Sequence, residues 1–248
     1  MKQRNGFTLI ELLMVFAVIA LFASVVLVSL QGSRGKASIA AAQQFDSQLR
    51  STLGAYIFGN WRFEEGSGSV VYDESGNKYD GSINGGVLYG ANDAFLSTAL
   101  SFNGTDSSVQ MPAMSAKLPL IIVFWAKPIT NSPVGMFDTA PNVVDTLRNY
   151  GSGYVEWQNG CGVPINVTAN KWVHLAFVFR HDGINRIIEW YKDGKAQTGC
   201  SAPASNSFAW TSLRLGDVNL GSDGRYEGSL DNFAVYNSTF TVSQIQKL

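Results

Sequence analysis

Charge is scarce in this sequence and evenly split. Lys and Arg total 18 against 19 Asp and Glu, a net charge of −1 with 15% charged residues. There is no basic surplus of the kind that nucleic-acid binding needs, and no nucleic-acid site is expected. Histidine is rarer still: His174 and His181 stand alone. Neither has a serine or cysteine nucleophile motif beside it, and no CxxC or Cys/His cluster has zinc-binding spacing. His174 reads as a packed strand residue and His181 as a loop residue. The acids also lack a catalytic pattern. Glycoside hydrolysis takes two carboxylates flanking the scissile bond, yet Glu64, Glu65, Asp73, Glu74, Asp138, Asp145, Glu156 and Glu189 never alternate along one strand face. Adjacent Glu64 and Glu65 point to opposite faces when extended. The expectation is a protein without enzymatic activity.

Cysteine is limited to Cys161 and Cys200. An even count allows one disulfide if the chain is exported, as its start suggests, and each cysteine sits in a glycine-containing segment expected to turn; two buried free thiols are the other reading.

What the sequence does have is one long apolar run and, after it, glycine and aromatic residues. The basic segment Met1-Lys2-Gln3-Arg4-Asn5-Gly6 leads into Phe7 to Leu30, which is almost unbroken in its apolar character and carries a single charge, Glu11. About 20 such residues in a helix span a bilayer. The run is too long for the apolar core of a secretory signal. Lys2 and Arg4 before it and Arg34 and Lys36 after it leave its orientation open. A carboxylate inside an apolar run is costly and marks function, so Glu11 needs a partner. Gly32 and Gly35 predict a kink or a melted stretch, since each is about 1 kcal/mol worse than alanine in a helix. Beyond them Ala42, Phe45, Leu49, Leu53 and Tyr56 recur every three or four residues, the stripe of an amphipathic helix that packs on a domain.

The segment Gly6-Phe7-Thr8-Leu9-Ile10-Glu11-Leu12-Leu13 resembles the processing site of type IV prepilins and pseudopilins. The resemblance implies a leader over 1–6, cleavage by prepilin peptidase between Gly6 and Phe7, and methylation of the new N-terminus at Phe7. It implies a pilin helix over 7–58, with 7–30 in the inner membrane before assembly and in the filament core after it, and 36–58 amphipathic. Glu11 is then neutralised by the α-amino group of Phe7 in a neighbouring subunit.

After Gly59 the texture becomes short apolar and aromatic runs between turn residues, which predicts an antiparallel β-sandwich over 59–248 and an α+β chain overall. Strands are expected at Leu100–Phe102, Leu120–Lys127, Trp172–Arg180, Arg186–Lys192, Ser212–Leu215 and Ser229–Tyr236, with a hairpin turn at Asp193-Gly194. The opening Trp61-x-Phe63-Glu64-Glu65-Gly66 with Asp73-Glu74-Ser75-Gly76-Asn77, and later blocks such as Gly228-Ser229-Leu230-Asp231-Asn232-Phe233, resemble laminin-G-like, concanavalin A-like jelly rolls. That resemblance implies two facing sheets, often a structural calcium, and often glycan or protein binding. Asp73, Asn77, Asp231 and Glu65 are the candidate calcium ligands. The alternative is that Asp73, Ser75 and Asn77 make a turn and Asp231 caps a strand end. Tyr150, Tyr154, Trp157 and Trp210 fall in less regular segments, where they serve either as sugar-stacking platforms or as core filling.

Three functions follow as expectations. The chain is a pilin that coats a filament of like subunits, an adhesive pilin whose head binds a glycan or protein on another surface, or a pseudopilin of a type II secretion system. Its location is the inner membrane and then an extracellular filament, or the periplasm for a pseudopilus.

Overall fold

The computed structural model describes residues 8–90, 98–139, 147–150, 153–157, 161–203, 212–217 and 224–238. The side chains of 25–35, 147, 148, 150, 156 and 157 lie outside that description. The chain divides into two compact units, 1–41 and 42–248.

One helix, α1 (Leu9–Leu53), contributes to both units. Its hydrogen-bonded course continues through Gly32 and Gly35, so the expected melted stretch does not occur. It ends at Leu53, where a 3-10 turn, Gly54–Tyr56, passes the chain into extended Ile57. Tyr56 therefore leaves the stripe to which its spacing assigned it: it sits in the turn and is exposed, while Ala42, Phe45, Leu49 and Leu53 are buried.

Among the described residues the second unit holds two antiparallel sheets. The first runs β14 (Lys195–Pro203), β13 (Asn185–Lys192), β12 (Val173–His181), β7 (Leu120–Pro128), β16 (Glu227–Asn237), β5 (Leu100–Asn103) and β4 (Leu88–Tyr89), with β1 (Ile57–Trp61) also paired to β16. The second runs β11 (Cys161–Pro164), β10 (Tyr154–Trp157), β9 (Leu147–Tyr150), β8 (Phe137–Asp138), β15 (Arg214–Leu215), β6 (Ser108–Gln110), β3 (Gly81–Asn84) and β2 (Val70–Val71). Each of the six strands expected from the sequence is present within a residue or two of its predicted bounds. His181 closes β12 rather than lying in a loop, and Tyr150, Tyr154 and Trp157 are strand residues.

The core fills the space between the sheets. Leu120, Ile122, Phe124 and Ala126 of β7 point inward with Leu175, Phe177 and Phe179 of β12, and Phe124 stacks on Phe233. The alternate residues Ile121, Val123, Ala176, Val178, Ala234 and Tyr236 point the other way and are also buried, beneath Phe45, Leu49 and Leu53 of α1. Strands covered on both faces have no polar side to show, so β7 reads LIIVFWA without alternation. Each of the three helix side chains contributes about 1.5–3 kcal/mol by leaving water.

The sandwich has two open sides, and each carries a cross-link between sheets. On one, Cys161 of β11 and Cys200 of β14 form a disulfide with a Cα separation of 5.6 Å. On the other, the Tyr89 hydroxyl of β4 donates to the Val70 carbonyl of β2 at 2.8 Å.

Candidate functional site

The described part of the N-terminus begins at Thr8; Gly6 and Phe7 lie outside the described residues. Glu11 Oε2 accepts the Thr8 N–H and the Thr8 hydroxyl, each at 2.8 Å, and the Glu11 N–H reaches back to Thr8 Oγ1 at 3.4 Å. This is a reciprocal capping box, Thr8-x-x-Glu11, which satisfies amide donors that an α-helix leaves free at its start. The Thr-x-x-Glu spacing of a capping box stands in the sequence itself. Leu9, Ile10, Leu12, Leu13, Met14, Val15 and Phe16 are all exposed, so the apolar surface runs around the helix. Among the described residues no stretch of helix is long and apolar enough to cross a membrane; part of the expected 7–30 span falls on residues outside the description.

Within the second unit, a polar network ties the end of α1 to the sandwich. His174 is fully buried on β12 between the Phe45 and Trp125 rings. Its Nε2 lies 3.2 Å from Asp46 Oδ1, a distance at which the Nε2–H tautomer donates. Arg50 Nε donates to Asp46 Oδ2 at 2.9 Å, while its two terminal nitrogens donate to Asn60 Oδ1 and the Asn232 carbonyl. Burial alone would push the Asp46 carboxyl up, but the His174 hydrogen bond and the Arg50 charge outweigh it and hold it below the ordinary carboxylate range. His174 is thus more than a packed residue, and its partner is 128 positions away.

The four candidate calcium ligands do not gather into one oxygen shell. Asp73 Oδ1 accepts from the N–H groups of Asn60 and Ser75, and Oδ2 from the Ser75 hydroxyl and the Tyr79 N–H. Four donors fill the lone-pair directions that a cation would use. Asn77 donates its side-chain amide to the Phe58 carbonyl. These bonds are those of the Asx-turn reading. Asp231 is not at a strand end: it lies inside β16 at a bulge before Ala234, fully buried, with Oδ1 accepting the Asn232 N–H and Oδ2 without a hydrogen-bond partner. Asn232 takes the left-handed conformation there (φ 51°). Burial pushes the Asp231 carboxyl up to about 7. Glu65 Oε1 accepts the Tyr72 N–H at 2.7 Å. No group of three or more His, Cys, Asp or Glu among the described residues is arranged to hold a metal ion.

Register sets a row of polar residues across the second sheet. Glu156, Arg148, Asp138, Arg214, Gln110 and Ser82 stand opposite one another across six strands. Arg214 donates to Gln110 Oε1 at 2.8 Å and lies 3.7 Å from Asp217. Tyr154 is exposed beside this row, and Tyr150 stands opposite it in register. The side chains of Tyr150 and Trp157, and Trp210 as a whole, lie outside the described residues.

Comparison with known proteins matches this architecture. The profile of the concanavalin A-like lectin/glucanases superfamily covers residues 103–246, more than half of the chain, and the prokaryotic N-terminal methylation motif covers 1–27. The chain matches no curated protein sequence. Among solved structures it is similar to domain 4 of AbnA, a GH43 extracellular arabinanase from Geobacillus stearothermophilus, in complex with arabinotriose. That match has a TM-score of 0.59 and 21% identity, over 77% of this chain and 97% of that one. The binding domain of Paraclostridial Mosquitocidal Protein 1 matches with a TM-score of 0.58 and 14% identity over 79% of this chain and 52% of that one. Trypanosoma rangeli sialidase in complex with sialic acid matches with a TM-score of 0.57 and 14% identity, over 77% of this chain and 32% of that one. At these identities the likeness is one of fold. The chain belongs to the concanavalin A-like lectin/glucanases superfamily and bears a prokaryotic N-terminal methylation motif at its start.

Proposed function

We propose that this chain is a type IV pilin-like subunit without enzymatic activity. It is cut between Gly6 and Phe7, polymerises through its N-terminal helix and displays a glycan-binding head for adhesion. The observation that carries this reading is the union, on one chain, of the methylation motif and a lectin-like domain. The exposed apolar residues from Leu9 to Phe22 support it, because such a surface is stable only in lipid or against other copies. Glu11 accepts both Thr8 donors within its own chain and keeps Oε1 for the α-amino group of a neighbouring Phe7. Glycan binding is supported by the arabinotriose and sialic acid named for two of the similar structures.

Two measurements test the reading. Mass spectrometry of the mature subunit finds a methylated Phe7 at its N-terminus, and electron microscopy of a Glu11→Leu strain finds the subunit in the membrane but no filaments. A mature N-terminus elsewhere, or normal filaments from the variant, sinks it.

A further inference from the structure

Four asparagines are followed by glycine in the sequence, Asn5, Asn84, Asn103 and Asn159, and the pairs at Asn84 and Asn103 lie among the described residues. Glycine shields its own N–H with no side chain, so in an Asn-Gly pair the backbone nitrogen attacks the asparagine amide most readily. The fold treats the two described pairs differently. Asn103, at the end of β5, is locked: Oδ1 accepts the N–H groups of Thr105, Asp106 and Ser107 at 2.8, 3.1 and 3.3 Å, and Nδ2 donates to Asp106 Oδ1 at 2.6 Å. The Gly104 N–H, the attacking group, donates to the Tyr226 carbonyl at 3.0 Å. Asn84, at the end of β3, is exposed, and among the described residues its side chain makes one hydrogen bond, from Nδ2 to the Ser82 carbonyl at 3.3 Å. Ser108 of β6 stands opposite Asn84 on one side, while β2 reaches only to Ser82 on the other.

We infer that Asn84 is a site of spontaneous deamidation and that Asn103 is protected from it. The Gly85 nitrogen attacks Cγ of Asn84 and gives up its proton, Nδ2 leaves as ammonia, and a cyclic succinimide closes. Water then adds to either succinimide carbonyl, and the ring opens to aspartate or isoaspartate. Extended backbone holds Cγ away from the next nitrogen, so the step waits for the last pair of β3 to open. A strand end with an exposed side chain opens at low cost. At Asn103 the same step breaks four side-chain hydrogen bonds and the Gly104 bond as well. The product bears on the turn that follows β3. Gly85 takes a left-handed conformation (φ 66°) and packs so closely on the Asp106 carbonyl that no Cβ fits there, and Asp106 Oδ1 accepts the Gly86 N–H at 3.2 Å. Isoaspartate lengthens the main chain by one methylene at the entry to this turn and loosens it.

The test incubates the full-length chain in detergent at pH 8 in heavy-oxygen water, digests it in ordinary water, and follows each Asn-Gly peptide by chromatography and mass spectrometry. A parallel sample in urea supplies the rates of the unfolded chain. In the folded chain Asn84 converts at least about tenfold faster than Asn103, because each further hydrogen bond adds to the cost of opening. In urea the two rates come within about twofold of each other, since neither loop is held there. The converted Asn84 peptide carries one heavy oxygen, the mark of succinimide hydrolysis, and separates into aspartate and isoaspartate forms. Asn103 converting as fast as Asn84 in the folded chain, Asn84 staying intact there while urea converts it fully, or a product without heavy oxygen overturns the inference.

Discussion

Removing the Asp46 carboxylate tests whether the end of α1 is fastened to the sandwich by charge as well as by apolar contact. In Asp46→Ala, His174 loses the partner of Nε2 while its Nδ1 already has none, inside a site with no exposure. Arg50 loses one of three acceptors and keeps Asn60 and the Asn232 carbonyl. A hydrogen bond to a charged group contributes about 1.5–3 kcal/mol, and breaking a buried pair costs about 3–5 kcal/mol. The side chains of Asp46 and Arg50 are 15% and 24% exposed, which places the expected loss at the lower end, about 3 kcal/mol. For a domain of this size that is about 6–12 °C in Tm. Asp46→Asn keeps an acceptor and loses about half as much. The pH dependence follows from the lowered Asp46 pKa. The unfolded chain takes up this proton before the folded one, so the contribution is whole above the ordinary aspartate range near pH 4 and fades as pH falls below it. The assay is urea unfolding of the detergent-solubilised chain followed by tryptophan fluorescence, with Trp125 against His174 as the local reporter. A loss under about 1 kcal/mol, or acid limbs of variant and wild type that superimpose, refutes the argument.

Three further outcomes are expected. The disulfide closes a loop of 39 residues, which by loop entropy contributes about 4 kcal/mol; Cys161→Ala with Cys200→Ala lowers the urea midpoint accordingly, and an unchanged midpoint contradicts it. Asp231→Asn stabilises the protein at pH 8 by about 2–4 kcal/mol and has little effect near pH 4, because a carboxyl raised to about 7 makes wild-type stability fall as pH rises from about 4 to about 7; equal gains at both pH values rule this out. Chelation leaves Tm within about 1 °C, since Asp73 already accepts from four donors; a rise above about 3 °C with millimolar calcium shows a metal site instead.

Much of the fold was legible because its signals are local. Apolar runs bounded by turn residues located β7, β12, β13 and β16, and three-to-four spacing located the buried face of α1. β14 leaves no sequence signal because it is an edge strand: of Lys195 to Pro203 only Ala202 is buried, so no alternation marks it. β9 to β11 are four residues each, too short for their sequence to differ from that of a loop. The turn at Asp73 was readable from Asp-x-Ser spacing, since its bonds run to residues close in sequence.

The polar network was not readable, and the reason shows what holds the head together. Asp46 and Arg50 stand four apart on the buried face of the helix, which marks them as a pair but gives no sign of His174, Asn60 or Asn232. Those partners come from three different strands or bends, and only the sheet order β12, β7, β16, β1 brings them under one turn of helix. The same order explains why β7, β12 and β16 lack a polar face. The residues 42–53 are therefore not a tether attached to a finished sandwich but its third layer: without them the apolar side chains of Ile121, Val123, Val178 and Ala234 and the imidazole of His174 would face water together. A pull on the helix is thus resisted by the domain's own core and by three charge-assisted contacts to separate strands.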